Sequence, residues 1–502
     1  KQEAQNGAHD CGSDGELRNT LPPINLFIPL LLGHFEDLVW TNVERLVRLR
    51  FFGTFRGFLE QCHVHNLTAR HALIMLPMAP PLSPLLHWRL SVMMFLQYAI
   101  WGAWLPFLWS FLEDHRGMSG DEIGSMFAAG AVGAIFGPFI AGQVADRWFA
   151  TEKYLGISHL LGAGLIWQLA SVDTFSGFLL FSLAYGLIYS PTLALTNSLA
   201  FHHILDRDRD FGKVRLWGTF GWIAVGLAMG HWLAYSHSPS GLEGAELHLA
   251  QVAGKADAFR LSAILGAFMG LFCFTLPHTP PSKTSEKNAV IEALEEVRRQ
   301  PLCTLFLLAV PVSCIHQFYF VHTESFLHNT LKAPAIFETI FGVGGGGFMT
   351  IGQMTELFVI GLIPFVSRKT SRKTLLGIGL LAYAARMTLF AFADGNPTFL
   401  LTGVGLHGLC FGCFIFVAFM VVDEETSSDV RASAQNLFNL VIIGIGVIVG
   451  SKIAGWVADW AGDDYQKLFG VPAAAAIACF VLLTLFYPGK KEMVALGEAK
   501  ES

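Results

Sequence analysis

The sequence predicts an all-α membrane protein of about twelve transmembrane helices arranged as two six-helix bundles. Three observations carry that expectation. Of 502 residues, 53% are hydrophobic and only 14% are charged, where soluble domains carry roughly 25% charged residues. Phe (43 residues) and Gly (51) are abundant, which suits lipid-facing helices packed closely through small side chains. The apolar residues also fall in runs near ~20 residues, the length that crosses ~30 Å of hydrocarbon. A net charge of −6 offers no basic surface for nucleic acid.

Residues 1–89 stand apart. Their longest apolar piece, 25–33, contains Pro29 and is too short to span. No basic region precedes a long apolar core near Lys1, as a signal peptide requires. Arg45, Arg48, Arg50 and Arg56 among aromatics fit an amphipathic surface segment. The simpler expectation is a disordered extension or a mis-assigned upstream start, with Met75 or Met93 as the beginning.

Spanning runs then follow at 90–111, 123–144, 154–170, 178–199, 214–233 and 258–276, an N-terminal bundle over 90–277. A polar linker, 278–304, separates them from runs at 305–327, 348–366, 375–392, 399–422, 432–457 and 468–486. These form a C-terminal bundle over 305–487, followed by a tail, 488–502. The loops after even-numbered runs, with the tail, hold eighteen Lys and Arg, among them Arg147, Arg215, Lys283, Arg368 and Arg431. The other side holds five: Arg116, Lys255, Arg260, Lys332 and Lys467. That asymmetry places both ends of the bundle in the cytoplasm.

The halves resemble each other weakly. Runs 5 and 11 each open with an Arg (Arg215, Arg431) behind an acidic loop, and duplicated halves with a site between them mark transporters. A Gly-x-Val-Ala-Asp string at Gly142–Asp146 recurs at Gly455–Asp459. By this topology the second copy lies on the opposite side, so the match is expected to be coincidence.

Polar residues inside hydrocarbon are costly and therefore candidate sites. Gln353 and Glu356, three residues apart, share one helix face near mid-membrane. Glu356 is the candidate proton carrier, and Arg386 its expected counter-charge. Gln317 and Glu324, seven apart, share a face of run 7, with Glu324 near the membrane edge. Arg215, Thr219 and Trp222 form a stripe on run 5; Gln97, Trp101 and Trp104 form another on run 1. Amides, a carboxylate, a guanidinium and indole faces together suit a polar, hydrogen-bonding solute, aromatic or sugar-like.

Other motifs point to plainer roles. Cys410 and Cys413, two of eight cysteines, lie inside an apolar run as ordinary helix residues. No nucleotide-binding Gly-x-x-x-x-Gly-Lys string is present. His202-His203 and Cys62-His63-Val64-His65 are loop or extension features, so no metal and no cofactor is expected. Asn66-Leu67-Thr68 matches a common glycosylation triplet. The Gly344–Gly347 run is expected to allow bending or close packing at the start of run 8.

Several stretches resemble the nucleoside:proton symporters, a bacterial permease family of the major facilitator superfamily. They include Phe95-Leu-Gln97-Tyr-Ala-Ile-Trp101-Gly-Ala-Trp104, Pro191-Thr-Leu-Ala-Leu-Thr-Asn197 and Val214-Arg215-Leu-Trp217-Gly218-Thr219. Leu276-Pro277-His278, Ser325-Phe-Leu-His328, Gln353-x-x-Glu356 and Val430-Arg431-Ala-Ser-Ala-Gln435 complete the set. The resemblance implies a major facilitator fold in the inner membrane, working by alternating access and taking up nucleosides with protons. It assigns substrate contacts to Arg215, Thr219, Gln317, Gln353, Glu356 and Phe411. The chain departs from the family twice: Phe320 stands where an Asn is usual on helix 7, and Gly412 where an Asp is usual on helix 10. The second departure leaves Glu356 as the proton carrier. A carrier of sugars or other small polar solutes, or a nucleoside facilitator without proton coupling, are the alternatives. A polytopic membrane enzyme or sensor is a remote one, since neither a catalytic dyad nor a sizeable soluble output domain is visible.

Overall fold

The computed structural model describes residues 82–140, 149–280, 294–427 and 431–489. Residues 1–81, the turn with Asp146 and Arg147, most of the linker and the tail from Lys490 lie outside them. Among the described residues every regular element is helical, and each expected run overlaps a helix, with 141–144 of the second run outside them. The first six are α1 (Pro84–His115), α2 (Gly120–Ile140), α3 (Thr151–Leu169), α4 (Phe175–His203), α5 (Arg207–Ser236) and α6 (Gly244–Cys273). The second six are α7 (Leu302–Thr330), α8 (Gly345–Val366), α9 (Arg372–Ala391), α10 (Pro397–Glu425), α11 (opening at Arg431 and closing at Ala461) and α12 (Tyr465–Phe486). Among the described residues, nine are long and apolar enough to cross a membrane. α2, α3 and α5 fall short of that criterion, and α5 carries Arg207, Arg209, Asp210 and Lys213 in its first turns.

Helix starts follow capping chemistry legible in the sequence. Ser83 accepts from the Leu86 amide ahead of Pro84, Thr174 from Gly177, Ser371 from Thr374 and Asp464 from Lys467. Each satisfies an amide that the first helical turn leaves unpaired. Two boundaries correct the expectation. The Ser83 cap starts α1 at Pro84 rather than 90, so Met93 lies inside this helix and a chain begun there would lose its first turns. The Asp206 side chain accepts from the Arg209 amide and starts α5 at Arg207, which places Arg215 two turns inside the helix rather than at its opening.

Three helices depart from α geometry. α1 tightens at Leu105–Phe107, where Pro106 withholds an amide, and widens at Phe111–His115. α10 widens at Cys410–Phe416 and α11 at Leu440–Ile445. Such wide turns concentrate at functional sites.

Within the halves, α1 packs on α5 and α6, α2 on α4, α7 on α11 and α9 on α12. Between the halves, α1 meets α7, and the most extensive contacts are α2 with α11 and α5 with α8. These pairs exchange if the halves are superposed in order, as an internal repeat requires. Close approach depends on glycine at Gly342 (φ 74°), where a Cβ would collide with the Gly230 backbone across the interface. The Val343 amide donates to the Gly230 carbonyl at the same place (3.0 Å).

Candidate functional site

The α5–α8 contact fixes which face of α8 looks across the molecule. Gly346 and Thr350 pack against Gly226 of α5. One and two turns further on, the same face presents Gln353 and Glu356. Gln353 is buried with its Oε1 unpaired. An orphaned buried acceptor costs roughly 1–3 kcal/mol unless something occupies it, and a substrate donor would. Arg215, half-buried on α5, is the cation whose charge reaches Glu356 from the opposite half. Its guanidinium lies 4.1 Å from the centre of the Tyr98 ring on α1, a cation–π contact that holds the charge at this face.

Aromatic rings line the same interface. Trp101 of α1 meets Trp222 of α5 edge-on (5.5 Å), and Trp222 meets Phe320 of α7 (6.3 Å). Phe411 of α10 lies 6.2 Å from His316 and 6.4 Å from His407. Trp101, Thr219, Trp222, Phe320, Glu356 and Phe411 are each only partly buried. The structure thus brings Arg215 within electrostatic reach of Glu356 and joins Trp101 to Phe411 through Trp222, Phe320 and His407, while Thr219 stands half-buried one turn from Arg215 on α5.

Two expected contacts lie elsewhere. Gln97 is fully buried among α3 and α4: its Nε2 donates to Thr192 (2.8 Å) and its Oε1 accepts from His159 Nε2 (3.0 Å). Both ends of its amide are therefore engaged with α3 and α4. Gln317 donates from Nε2 to Ser451 Oγ on α11 (3.0 Å) and does not meet Gln353 or Glu356.

Glu324 corrects the expectation of a residue near a solvated edge. It is fully buried and paired with Lys255, itself fully buried on α6 rather than in a loop. The Nζ–Oε1 distance is 3.0 Å. Ser110 of α1 donates to Glu324 Oε2 (2.5 Å), the Gly345 amide donates to Oε1 (3.2 Å), and Lys255 also donates to His328 Nδ1 (2.8 Å). The pair joins the halves at the end of the molecule away from the linker. Lys452 of α11 pairs with Asp121 of α2 at that end, and Asp459 accepts from the Gly120 and Asp121 amides (2.7 and 2.8 Å). The Gly455–Asp459 segment closes this interface, where Asp459 neutralises the unpaired amides at the α2 start; the matching string at Gly142–Asp146 lies outside the described residues.

Arg386 also differs from the expectation. It reaches Glu356 through an intermediary. Fully buried, it lies 4.4 Å from the Tyr319 ring and 5.0 Å from the Tyr383 ring. Its Nη1 donates to His407 Nδ1 (3.1 Å), and His407 Nε2 lies 3.5 Å from Glu356 Oε2. His316 and the Tyr383 hydroxyl are 2.7 Å apart beside it. Sequence reasoning missed His316, His407 and Lys452. All three stand within expected spanning runs, and an ionisable residue there is the signal that finds them.

Gly412, where the resembling family carries an acid, packs directly against α8. A Cβ at Gly412 would lie 2.6 Å from Val359 Cγ1. The position has no room for a carboxylate in this packing, so the departure is built into the α8–α10 contact.

A model of the nucleoside H+ symporter family matches residues 85–492. YegT of Escherichia coli (strain K12) is 33% identical over 385 residues, 73% of this chain and 83% of YegT. The nucleoside permease NupG of the same organism is 28% identical over 415 residues, 79% of this chain and 95% of NupG. The crystal structure of NupG superposes with a TM-score of 0.69 at 25% identity, covering 80% of this chain and 98% of NupG. A matched length of this extent, the shared fold and the family-model match carry the assignment: the chain belongs to the nucleoside H+ symporter family.

Proposed function

We propose that the protein takes up nucleosides together with protons by alternating access, as an inner-membrane carrier with both ends of its bundle in the cytoplasm. The reading rests most on the α8 face. Gln353 offers an unpaired buried acceptor one turn from Glu356, the carboxylate that the charge of Arg215 reaches from the opposite half. Rings suit the π-face of a base, and the amide and carboxylate suit base edges or ribose hydroxyls. Arg215, Thr219, Gln353, Glu356, Phe411 and Trp101 form the contact set. Gln97 and Gln317 act behind it by holding α1 and α7 in place. Glu356 carries the proton. With the far end joined by Lys255–Glu324 and Lys452–Asp121, transport requires those pairs to part as the halves rock.

The test is uptake into proteoliposomes of a panel of labelled nucleosides and sugars, each competed by the others. Saturable nucleoside uptake that sugars fail to compete is the expected result. Sugar uptake that nucleosides fail to compete would overturn the reading.

A further inference from the structure

A carboxylate that alternately holds and releases a proton needs fixed surroundings, and those of Glu356 are unusual. Behind it stands His407, 1% exposed, with its ring 4.5 Å from Tyr319 and 5.5 Å from His316. Arg386 contacts its far nitrogen. A guanidinium can only donate, so Nδ1 of His407 must accept and carries no hydrogen. The single hydrogen of a neutral imidazole is then on Nε2, the atom aimed at Glu356 Oε2. Arg386 therefore sets the tautomer of His407, and that tautomer presents a donor to the carboxylate.

We propose that His407 is a positioning residue for the proton step, joining the buried Arg386 to Glu356 so that loss of the carboxylate charge is felt across α8, α9 and α10. The proposal rests on the reading of Glu356 as the proton carrier. A proton arriving on a Glu356 oxygen converts the acceptor into a neutral carboxyl; His407 stays neutral, and its Nε2–H loses its charged partner. Arg386 is then a fully buried cation with no anion relayed to it, left with the Tyr319 and Tyr383 rings and with Nε and Nη2 already unpaired. That state favours rearrangement of the α8–α10 contact, where α10 already widens at Cys410–Phe416. The remaining charged or titratable groups facing the pair are Arg215 on α5, His316 and Tyr319 on α7, Tyr383 on α9 and Cys410 on α10. None of these intervenes between Arg386 Nη1 and His407 Nδ1.

The experiment compares wild type, His407→Leu, His407→Gln and Glu356→Gln in proteoliposomes, reading exchange at equal pH and accumulation against a pH gradient. His407→Leu is expected to keep exchange and lose accumulation. His407→Gln, which can accept from Arg386 and donate to Glu356, is expected to restore it in part. Wild-type accumulation by His407→Leu, with Glu356→Gln defective, would overturn the role of His407 alone. Wild-type accumulation by Glu356→Gln would remove the reading of Glu356, and the proposal with it. Nitrogen-15 spectra of the histidines in the unaltered protein test the same point without a variant. A His407 signal protonated on Nε2 supports the proposal, and one protonated on Nδ1 overturns it.

Discussion

Replacing Lys255 by Met should open the end of the molecule that Lys255 and Glu324 hold together. At 3.0 Å the Coulomb attraction is about 5 kcal/mol at an effective dielectric near 20. Most of that offsets the desolvation of two fully buried charges. Removing only one partner is different, because it strands the other charge at a cost of about 3–5 kcal/mol. Glu324 would keep only the Ser110 hydroxyl and the Gly345 amide. The pair links α6 of one half to α7 of the other, so the cost falls on the joined state. At ~1.4 kcal/mol per tenfold, the joined population should drop by a hundredfold to a few thousandfold relative to the parted one. The double variant Lys255→Met/Glu324→Leu should recover much of the loss, since apolar replacement of a whole buried pair is often neutral. Spin labels at the exposed Tyr235 and Ile336, on α5 and on the short helix Ala335–Phe341, report the separation by double electron–electron resonance. Longer distances in each single variant and their reversal in the double variant are expected. An unchanged distribution in both single variants would refute the argument.

Three further outcomes follow from the packing. Gln353→Ala should weaken substrate affinity by roughly 1–3 kcal/mol through a substrate donor left unpaired, read by isothermal titration; unchanged affinity for every transported solute removes Gln353 from the site. Gln317→Ala should lower thermal stability through the lost bond to Ser451 while leaving affinity intact; a selective loss of affinity would return Gln317 to the contact set. Gly412→Asp should destabilise the protein by about 1–3 kcal/mol through overpacking against Val359. The added Val359→Ala should relieve part of that loss in a melting experiment, and no relief would place the strain elsewhere.

Most of the helices were legible because lipid imposes length and hydropathy on them, and because Ser83, Thr174, Ser371 and Asp464 announce the starts of four. Gln353 and Glu356 were legible as one face because a three-residue spacing fixes direction on a single helix. The same logic could not say what a face meets. Gln317 obeys its spacing yet turns to Ser451 on α11, since the partner is chosen by tertiary packing. Lys255 follows a polar stretch and reads as a loop charge; only the arrival of α7 from the other half buries it. His316 and His407 stand far apart in two apolar runs, and their shared neighbourhood with Arg386 and Glu356 comes from four separate helices. Gly412 read as a missing acid, whereas the structure gives its positive reason, the close approach of Val359.

The central claim is that Glu356 couples nucleoside movement to the proton. The most direct test loads proteoliposomes with an imposed pH gradient and follows a labelled nucleoside in wild type and Glu356→Gln. Gln keeps the shape and hydrogen-bonding capacity of the side chain but cannot exchange a proton. Accumulation above equilibrium is expected of the wild type, and exchange without accumulation of the variant. Accumulation by Glu356→Gln equal to wild type, or wild-type transport indifferent to the gradient, would contradict it.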